Sequence, residues 1–255
     1  MEDFKLVYCL KDDRSFRYQL MNSIKSVSKF VDKENIITII NPSSNSRAIE
    51  SLSDHTTIYQ GSKFYNDLDL PSFKYKMELC DIDTKNLIFL DCDTIVLRDI
   101  TELLDDDYDF FAIEEPCRAY NGLVKPSWNQ ETWESNLSKF NLPLNSIPYN
   151  DGFMMFKNGV HKKIKEDFLK YYSMYHNKEI ISPNTTDDMH HNEFALSLAV
   201  SKYNCKEMNN TQHWFGWRGV PYRKEEKAYV VHIGTNKRGL AGYRTNLSRH
   251  LEGLQ

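Results

Sequence analysis

Apolar residues come in two rhythms along this chain. Lys5-Leu6-Val7-Tyr8-Cys9-Leu10 and Asn35-Ile36-Ile37-Thr38-Ile39-Ile40 are unbroken runs of strand length. Runs without polar alternation indicate strands buried on both faces, as in a parallel sheet. Between them Phe16, Leu20, Ile24 and Val27 recur at helical spacing and predict an amphipathic helix over residues 14–30. Asn41-Pro42 stops the second strand. Thr56 to Tyr59 predicts a short third strand, and Phe73 to Cys80 a helix leading into the run Leu87 to Leu90. Further strands are predicted at Tyr108–Ile113, Asn150–Phe156 and Ala228–Ile233. Val160, Ile164, Phe168, Tyr171 and Tyr175 mark another helix. Thr185-Thr186-Asp187-Asp188 reads as the cap of one more, with Phe194, Leu198 and Val200 facing inward. Strands alternating with helices predict an α/β fold with a mostly parallel sheet covered on both faces. No repeat or linker divides the chain, so a single domain is expected.

One stretch breaks the rhythm. Residues 115–149 carry Pro116, Pro126, Pro143 and Pro148 together with Tyr120, Trp128, Trp133 and Tyr149, with weak periodicity. Long irregular segments inside a domain are often functional. Two readings stand side by side: a lid or acceptor wall, and an insertion with its own small aromatic core.

Composition narrows the classes. The 255 residues are 40% hydrophobic and 27% charged, ordinary for a globular protein, and the net charge of −4 supplies no global basic field for nucleic acid. Arg244 and Arg249 near the end leave a local basic patch, so contact with nucleic acid or a membrane surface stays open. The start lacks a basic segment followed by an apolar one, and no apolar run approaches a membrane span. The expectation is therefore a cytoplasmic protein. Five scattered Cys without a C-x-x-C pair fit a reduced interior. The first strand is followed by neither a G-x-G-x-x-G nor a P-loop pattern.

The chemistry concentrates after Leu87 to Leu90. Asp91 and Asp93 follow that run at i and i+2, which in an extended segment point to one side. They sit at a strand's carboxyl end, where open α/β sheets bind ligands. Two hard carboxylates there suit Mg²⁺ or Mn²⁺ carrying a diphosphate. A bare D-x-D also fits a solvated turn, and the strand before it and the motifs downstream favour the site.

Those motifs, taken in order, resemble the GT-A glycosyltransferases, most closely the glycosyltransferase family 8 group that includes glycogenin and bacterial lipooligosaccharide galactosyltransferases. The resemblance runs from Leu6 to about Lys237. The first strand reaches Tyr8, where the family begins its nucleotide pocket. Lys74 stands 17 residues before Asp91, where the family places an Arg. Leu87 to Val96 is similar to the family's Y-L-D-x-D-x-x-V strand, and Asn150 to Phe156 to its N-x-G segment. Asp187-Asp188-Met189-His190-His191-Asn192 matches the spacing of D-Q-x-x-x-N, and His232, Gly234 and Lys237 resemble the terminal H-x-x-G-x-x-K. Four departures stand out: Lys74 in place of Arg, Asp188 in place of Gln, one residue fewer between His232 and Gly234, and Arg238-Gly239 where the family has Pro-Trp.

The resemblance implies a mixed, mostly parallel GT-A (Rossmann-like) sheet flanked by helices. It implies a nucleotide-binding half at 1–113, an irregular aromatic insertion at 114–149, an acceptor and catalytic half at 150–239 and a basic tail at 240–255. Its activity would be transfer of a hexose from a UDP-sugar to a hydroxyl of a glycan, protein or other acceptor, with retention. Asp91, Asp93 and His232 would hold Mn²⁺ or Mg²⁺. Tyr8 would line the nucleotide pocket, and Lys74 and Lys237, with Gly234, would meet the phosphates. Asp188 would sit beside the anomeric carbon, with Asp187 and Asn150 or Asp151 on sugar hydroxyls. A nucleotidyltransferase is the alternative enzyme, although Lys11-Asp12-Asp13-Arg14 lacks the glycine-rich loop that activity uses. A non-catalytic nucleotide- or glycan-binding module is the third reading.

Overall fold

The structure, a computed structural model, describes residues 3–10, 14–40, 46–61, 72–115, 118–120, 123–125, 128–183, 191–209, 211–215, 227–233, 243–244 and 247–248. In chain order the first half gives β1 (Phe4–Leu10), α1 (Arg14–Val27), β2 (Ile36–Ile40), α2 (Ser46–Ser53), β3 (Thr57–Gln60), β4 (Asn86–Leu90), β5 (Thr94–Val96) and β6 (Phe110–Glu114). There follow a small hairpin of β7 (Arg118–Tyr120) and β8 (Leu123–Lys125), then α3 (Gln130–Lys139) and β9 (Tyr149–Phe156). The last part holds α4 (Val160–Lys163), α5 (Lys165–His176), α6 (His191–Val200), β10 (Cys205–Met208), β11 (His213–Phe215) and β12 (Val230–His232).

Seven strands form the main sheet in the order β10-β6-β9-β4-β1-β2-β3. β4, β1, β2 and β3 run parallel, β6 and β10 run parallel, and β9 lies antiparallel between β4 and β6. The sheet is thus mixed and mostly parallel. Period-2 alternation divides its side chains between two buried faces. Val7, Leu87, Phe89, Phe110, Ala112, Met154 and Phe156 pack with α3 to α6, and Leu6, Tyr8, Ile88, Leu90, Phe111, Phe153 and Met155 pack with α1. Burial on both faces is why these strands carry no polar alternation in sequence.

Two predicted elements take a different form. The helix expected before β4 takes the 3-10 form, over Ser72–Asp81. The Pro-rich stretch contains a regular helix, α3, capped by Asn129, whose side chain accepts from the Thr132 N–H at 2.8 Å. A second, three-stranded sheet, β11-β12-β5, crosses the carboxyl end of β4. It is covered by Tyr243, which is fully buried against Ile95, Val231 and Ile233. Tyr243 is therefore anchored in an apolar cluster.

Candidate active site

Three ligand-type side chains converge where the two sheets meet. β4 ends at Leu90, and the turn Asp91-Cys92-Asp93 leads directly into β5. Thr94 closes that turn, donating its N–H and its hydroxyl to the Asp91 carbonyl at 3.2 and 2.8 Å. β12 runs antiparallel to β5 with His232 opposite Thr94, and the Ile233 N–H donates to the Asp93 carbonyl at 2.9 Å. That register brings His232 Nε2 to 3.0 Å from Asp93 Oδ1 and 3.9 Å from Asp91 Oδ2. Ligand atoms of Asp91, Asp93 and His232 all lie within 4.8 Å of one another.

The imidazole is held from behind. His213 on β11 stacks on it nearly flat, with ring centroids 5.5 Å apart and planes 9° from parallel, and Phe215 packs alongside. On the β9 side the neighbour is Gly152, where a Cβ would stand 2.3 Å from His232 Cε1 and 2.6 Å from Nδ1. The absent side chain makes the place for the ring. The Asp91 N–H donates to the Gly152 carbonyl at 2.8 Å, which fixes the end of β4 to the same residue.

A second constellation adjoins the first. Lys76, on the 3-10 helix, is buried, with Nζ 3.0 Å from Asp91 Oδ1 and 2.6 Å from Asp151 Oδ1. The other oxygen of Asp151 accepts from the Asn192 side-chain amide. Asn150 donates to Glu115 at 3.0 Å and Glu193 at 3.2 Å, and its own oxygen accepts from the Gly152 N–H. The two halves are joined through Asp91, which faces Lys76 with one oxygen and His232 with the other.

Burial and charge compete at each group. Burial pushes the Asp91 carboxyl above its ordinary range against the pull of Lys76. Burial also opposes charge on Asp93, but the His232 charge and hydrogen bond outweigh it and hold that carboxyl low. His232 is held above the ordinary histidine value because Asp93, then Asp91, overcome the cost of burial. For Lys76 burial is likewise overcome, by Asp151 and Asp91, and the ammonium is held high. Glu193 is raised well above the usual carboxylate range by burial and by Asp151 beside it.

The sequence-predicted residues distribute unevenly. Asp91, Asp93 and His232 come together, and Asn150 and Asp151 adjoin them. Tyr8 does not serve as an open stacking face. It is fully buried under α1, with its hydroxyl 2.9 Å from Ser23 Oγ, and Ser23 in turn meets Thr94 at 3.1 Å. It supports the D-x-D turn from below, because a central strand buried on both faces leaves its aromatic ring no exposed side. Lys74 lies on a backbone segment whose side chains fall outside the described residues; the lysine seen in the site is Lys76. Asp187, Asp188, Gly234 and Lys237 also lie outside the described residues. Sequence reading missed Lys76, Glu115, Glu193 and His213. A polar Asn192-Glu193 pair opening an otherwise apolar helix was the available signal for Glu193.

The donor set fits a divalent ion of the Mn²⁺ or Mg²⁺ kind: two carboxylates and one imidazole, with a glycine clearing space for the ring. The proton between His232 and Asp93 then competes with the metal. In the metal-free protein the pair contributes stability between the lowered Asp93 pKa and the raised His232 pKa. The imidazolium contribution is lost as pH rises through the His232 value, and the carboxylate contribution as pH falls through the Asp93 value. Metal affinity runs the other way and is expected to weaken by up to about tenfold per pH unit below the His232 pKa. Mn²⁺ titrations across about pH 6 to 8 check this, and a pH-independent affinity would contradict His232 as a ligand.

A mixed sheet with an antiparallel strand beside the D-x-D strand, and a small second sheet crossing its carboxyl end, is the GT-A glycosyltransferase fold. No family model and no curated protein matches this chain in sequence. Among solved structures the chain is similar to the galactosyltransferase LgtC in complex with donor and acceptor sugar analogs, with TM-score 0.59 and 13% identity over 98% of this chain and 96% of that one. It is similar to the glycosyltransferase GlyE of Streptococcus pneumoniae TIGR4, with TM-score 0.57 and 12% identity over 95% of this chain and 60% of that one. Mouse xyloside xylosyltransferase 1 gives TM-score 0.52 and 12% identity over 92% of this chain and 98% of that one. At such identities the shared property is the fold.

Proposed function

We propose that this chain is a metal-dependent glycosyltransferase that moves a hexose from a UDP-sugar to a hydroxyl acceptor with retention of configuration. One observation carries the reading: Asp91, Asp93 and His232 converge at the carboxyl end of a central strand in a GT-A fold. Breaking the bond between an anomeric carbon and a diphosphate leaves negative charge on the departing oxygen. A divalent ion supplies Lewis-acid stabilisation of that charge when bound. Asp91, Asp93 and His232 would hold it, and the cationic side chains of Lys237 and Lys74 would meet the phosphates. Asn150 and Asp151 orient sugar hydroxyls. Asp188, with Asp187 next to it, presents carboxylate charge to the oxocarbenium-like centre. These two residues shortly precede the helix whose first turn delivers Asn192 and Glu193 to Asp151 and Asn150.

The test is UDP release from a panel of UDP-sugars with Mn²⁺ or with EDTA, in wild type and in Asp93→Asn. Metal-dependent release from one sugar is expected, reduced at least about a hundredfold in the variant because a ligand and the partner of His232 are removed together. Metal-dependent binding of a UDP-sugar with neither release nor transfer would replace the enzyme with a binding module. Absence of any metal-dependent nucleotide binding would defeat both readings.

A further inference from the structure

The Lys76 ammonium is surrounded in a way that a phosphate-binding lysine is not. Its Nζ meets three oxygens: Asp151 Oδ1 at 2.6 Å, Asp91 Oδ1 at 3.0 Å and the Asp151 carbonyl at 3.3 Å. An ammonium has three N–H donors, so three protein oxygens saturate it. The Phe89 ring lies beneath, 5.0 Å from Nζ, and the residue is only 8% exposed. A strongly hydrated cation has been drawn into the interior and given protein oxygens in place of water.

We propose that Lys76 is a resident internal cation: a positioning residue that fills a second cation position between Asp91 and Asp151 and thereby limits the site to one divalent ion. This rests on the reading of Asp91, Asp93 and His232 as a metal site. Asp91 divides its oxygens, Oδ1 towards Lys76 and Oδ2 towards His232. That is how a carboxylate bridges two cations, with the ammonium in one of the two places. The position is oxygen-only and carries two formal negative charges, a donor set that suits a hard divalent ion once the ammonium is removed. Among the described residues Lys76 and His232 pair with the carboxylates of Asp91, Asp93 and Asp151, and Glu115 and Glu193 adjoin them through Asn150. Loss of Lys76 therefore leaves Asp91 and Asp151 converging without the ammonium between them. The arrangement also explains what Lys76 does for Asp91. With Oδ1 pinned, the carboxylate presents a single oxygen towards His232 and Asp93.

The experiment counts bound Mn²⁺ on donor-free protein, from the electron paramagnetic resonance signal of the free aqueous ion, with thermal melting to confirm folding. Wild type is expected to bind one ion, Lys76→Met two, and the double variant Lys76→Met/Asp151→Asn one again. The double variant removes one charge of each sign, so it isolates the anchoring of Asp91. Its affinity is expected to be weaker than wild type by about tenfold, the usual effect of losing a group that orients a ligand. One ion at unchanged affinity in Lys76→Met would overturn the inference and leave the metal site standing. If Lys76→Met does not fold, wild-type affinity in the double variant overturns it equally. No binding by wild type, or binding undiminished in Asp93→Asn, would instead overturn the metal reading itself.

Discussion

Gly152→Ala is expected to weaken divalent-metal binding about a hundredfold, the upper end of what disturbing a metal site's ligand orientation costs, while β9 stays folded. The argument is steric. Gly152 lies inside β9, and its backbone does not occupy the left-handed region that glycine alone tolerates. Alanine therefore suits the strand. Its Cβ does not suit the site, because it would stand 2.3 Å from His232 Cε1, 2.6 Å from Nδ1 and 3.0 Å from Asn150 Oδ1. The ring cannot retreat far. His213 is stacked on it and β12 is fixed in register by the pairing of His232 with Thr94. It must rotate away from Asp93, which removes the imidazole from the ligand set. Mn²⁺ titration with far-UV circular dichroism separates the two consequences: the spectrum stays that of the wild type and the metal affinity collapses. A variant that binds Mn²⁺ as the wild type does would show that the imidazole is not a ligand.

That glycine also shows what sequence can and cannot carry. The N-x-G spacing placed Gly152 near the site, but only the approach of His232 to β9 reveals that its hydrogen stands where another residue's methyl would meet the ring. The strands themselves were legible, because Leu6 to Leu10, Ile36 to Ile40 and Leu87 to Leu90 are buried on both faces and show it as unbroken apolar runs. Asp91 and Asp93 were legible because the ends of such runs are where sheet sites form, and His232 through its resemblance to the H-x-x-G-x-x-K motif. The lysine was not. Which residue of a short helix faces a sheet depends on its phase, and a 3-10 helix advances about 120° per residue where an α-helix advances about 100°. The segment Ser72–Asp81 is 3-10, and Lys76 is the lysine it delivers to Asp91 and Asp151. Glu193 was hidden for another reason. All ten residues of α6 are buried, so periodicity marks no site-facing side, and the polar Asn192-Glu193 pair is the one cue.

The largest expected effect on stability falls in the stretch that sequence left irregular. Trp133→Ala is expected to destabilise the fold by about 3–5 kcal/mol, the range for deleting a buried aromatic side chain. For a chain of this size that is a fall of roughly 10 °C in melting temperature. Trp133 is 1% exposed, its indole N–H donates to the Ser146 carbonyl at 2.7 Å, and its ring lies 6.1 Å from that of Phe194. Substitution would leave a cavity and an orphaned carbonyl in the cluster that also holds Phe89, Met154 and Phe168. The helix carrying Trp133 thus shares the main core beneath the sheet. Of the two sequence readings, neither an insertion with its own separate core nor a lid describes this half of the stretch. Because Phe194 follows Asn192 and Glu193 on α6, the cavity borders the sugar side of the proposed site; Asp91, Asp93 and His232 stand on other elements. Mn²⁺ affinity of the folded variant should therefore stay within about threefold of wild type, as expected for sites without shared partners. A denaturant titration read beside a metal titration measures both. A stability loss below about 1 kcal/mol, the scale of an ordinary surface change, would mean that α3 packs as a detachable flap, and the lid reading would return.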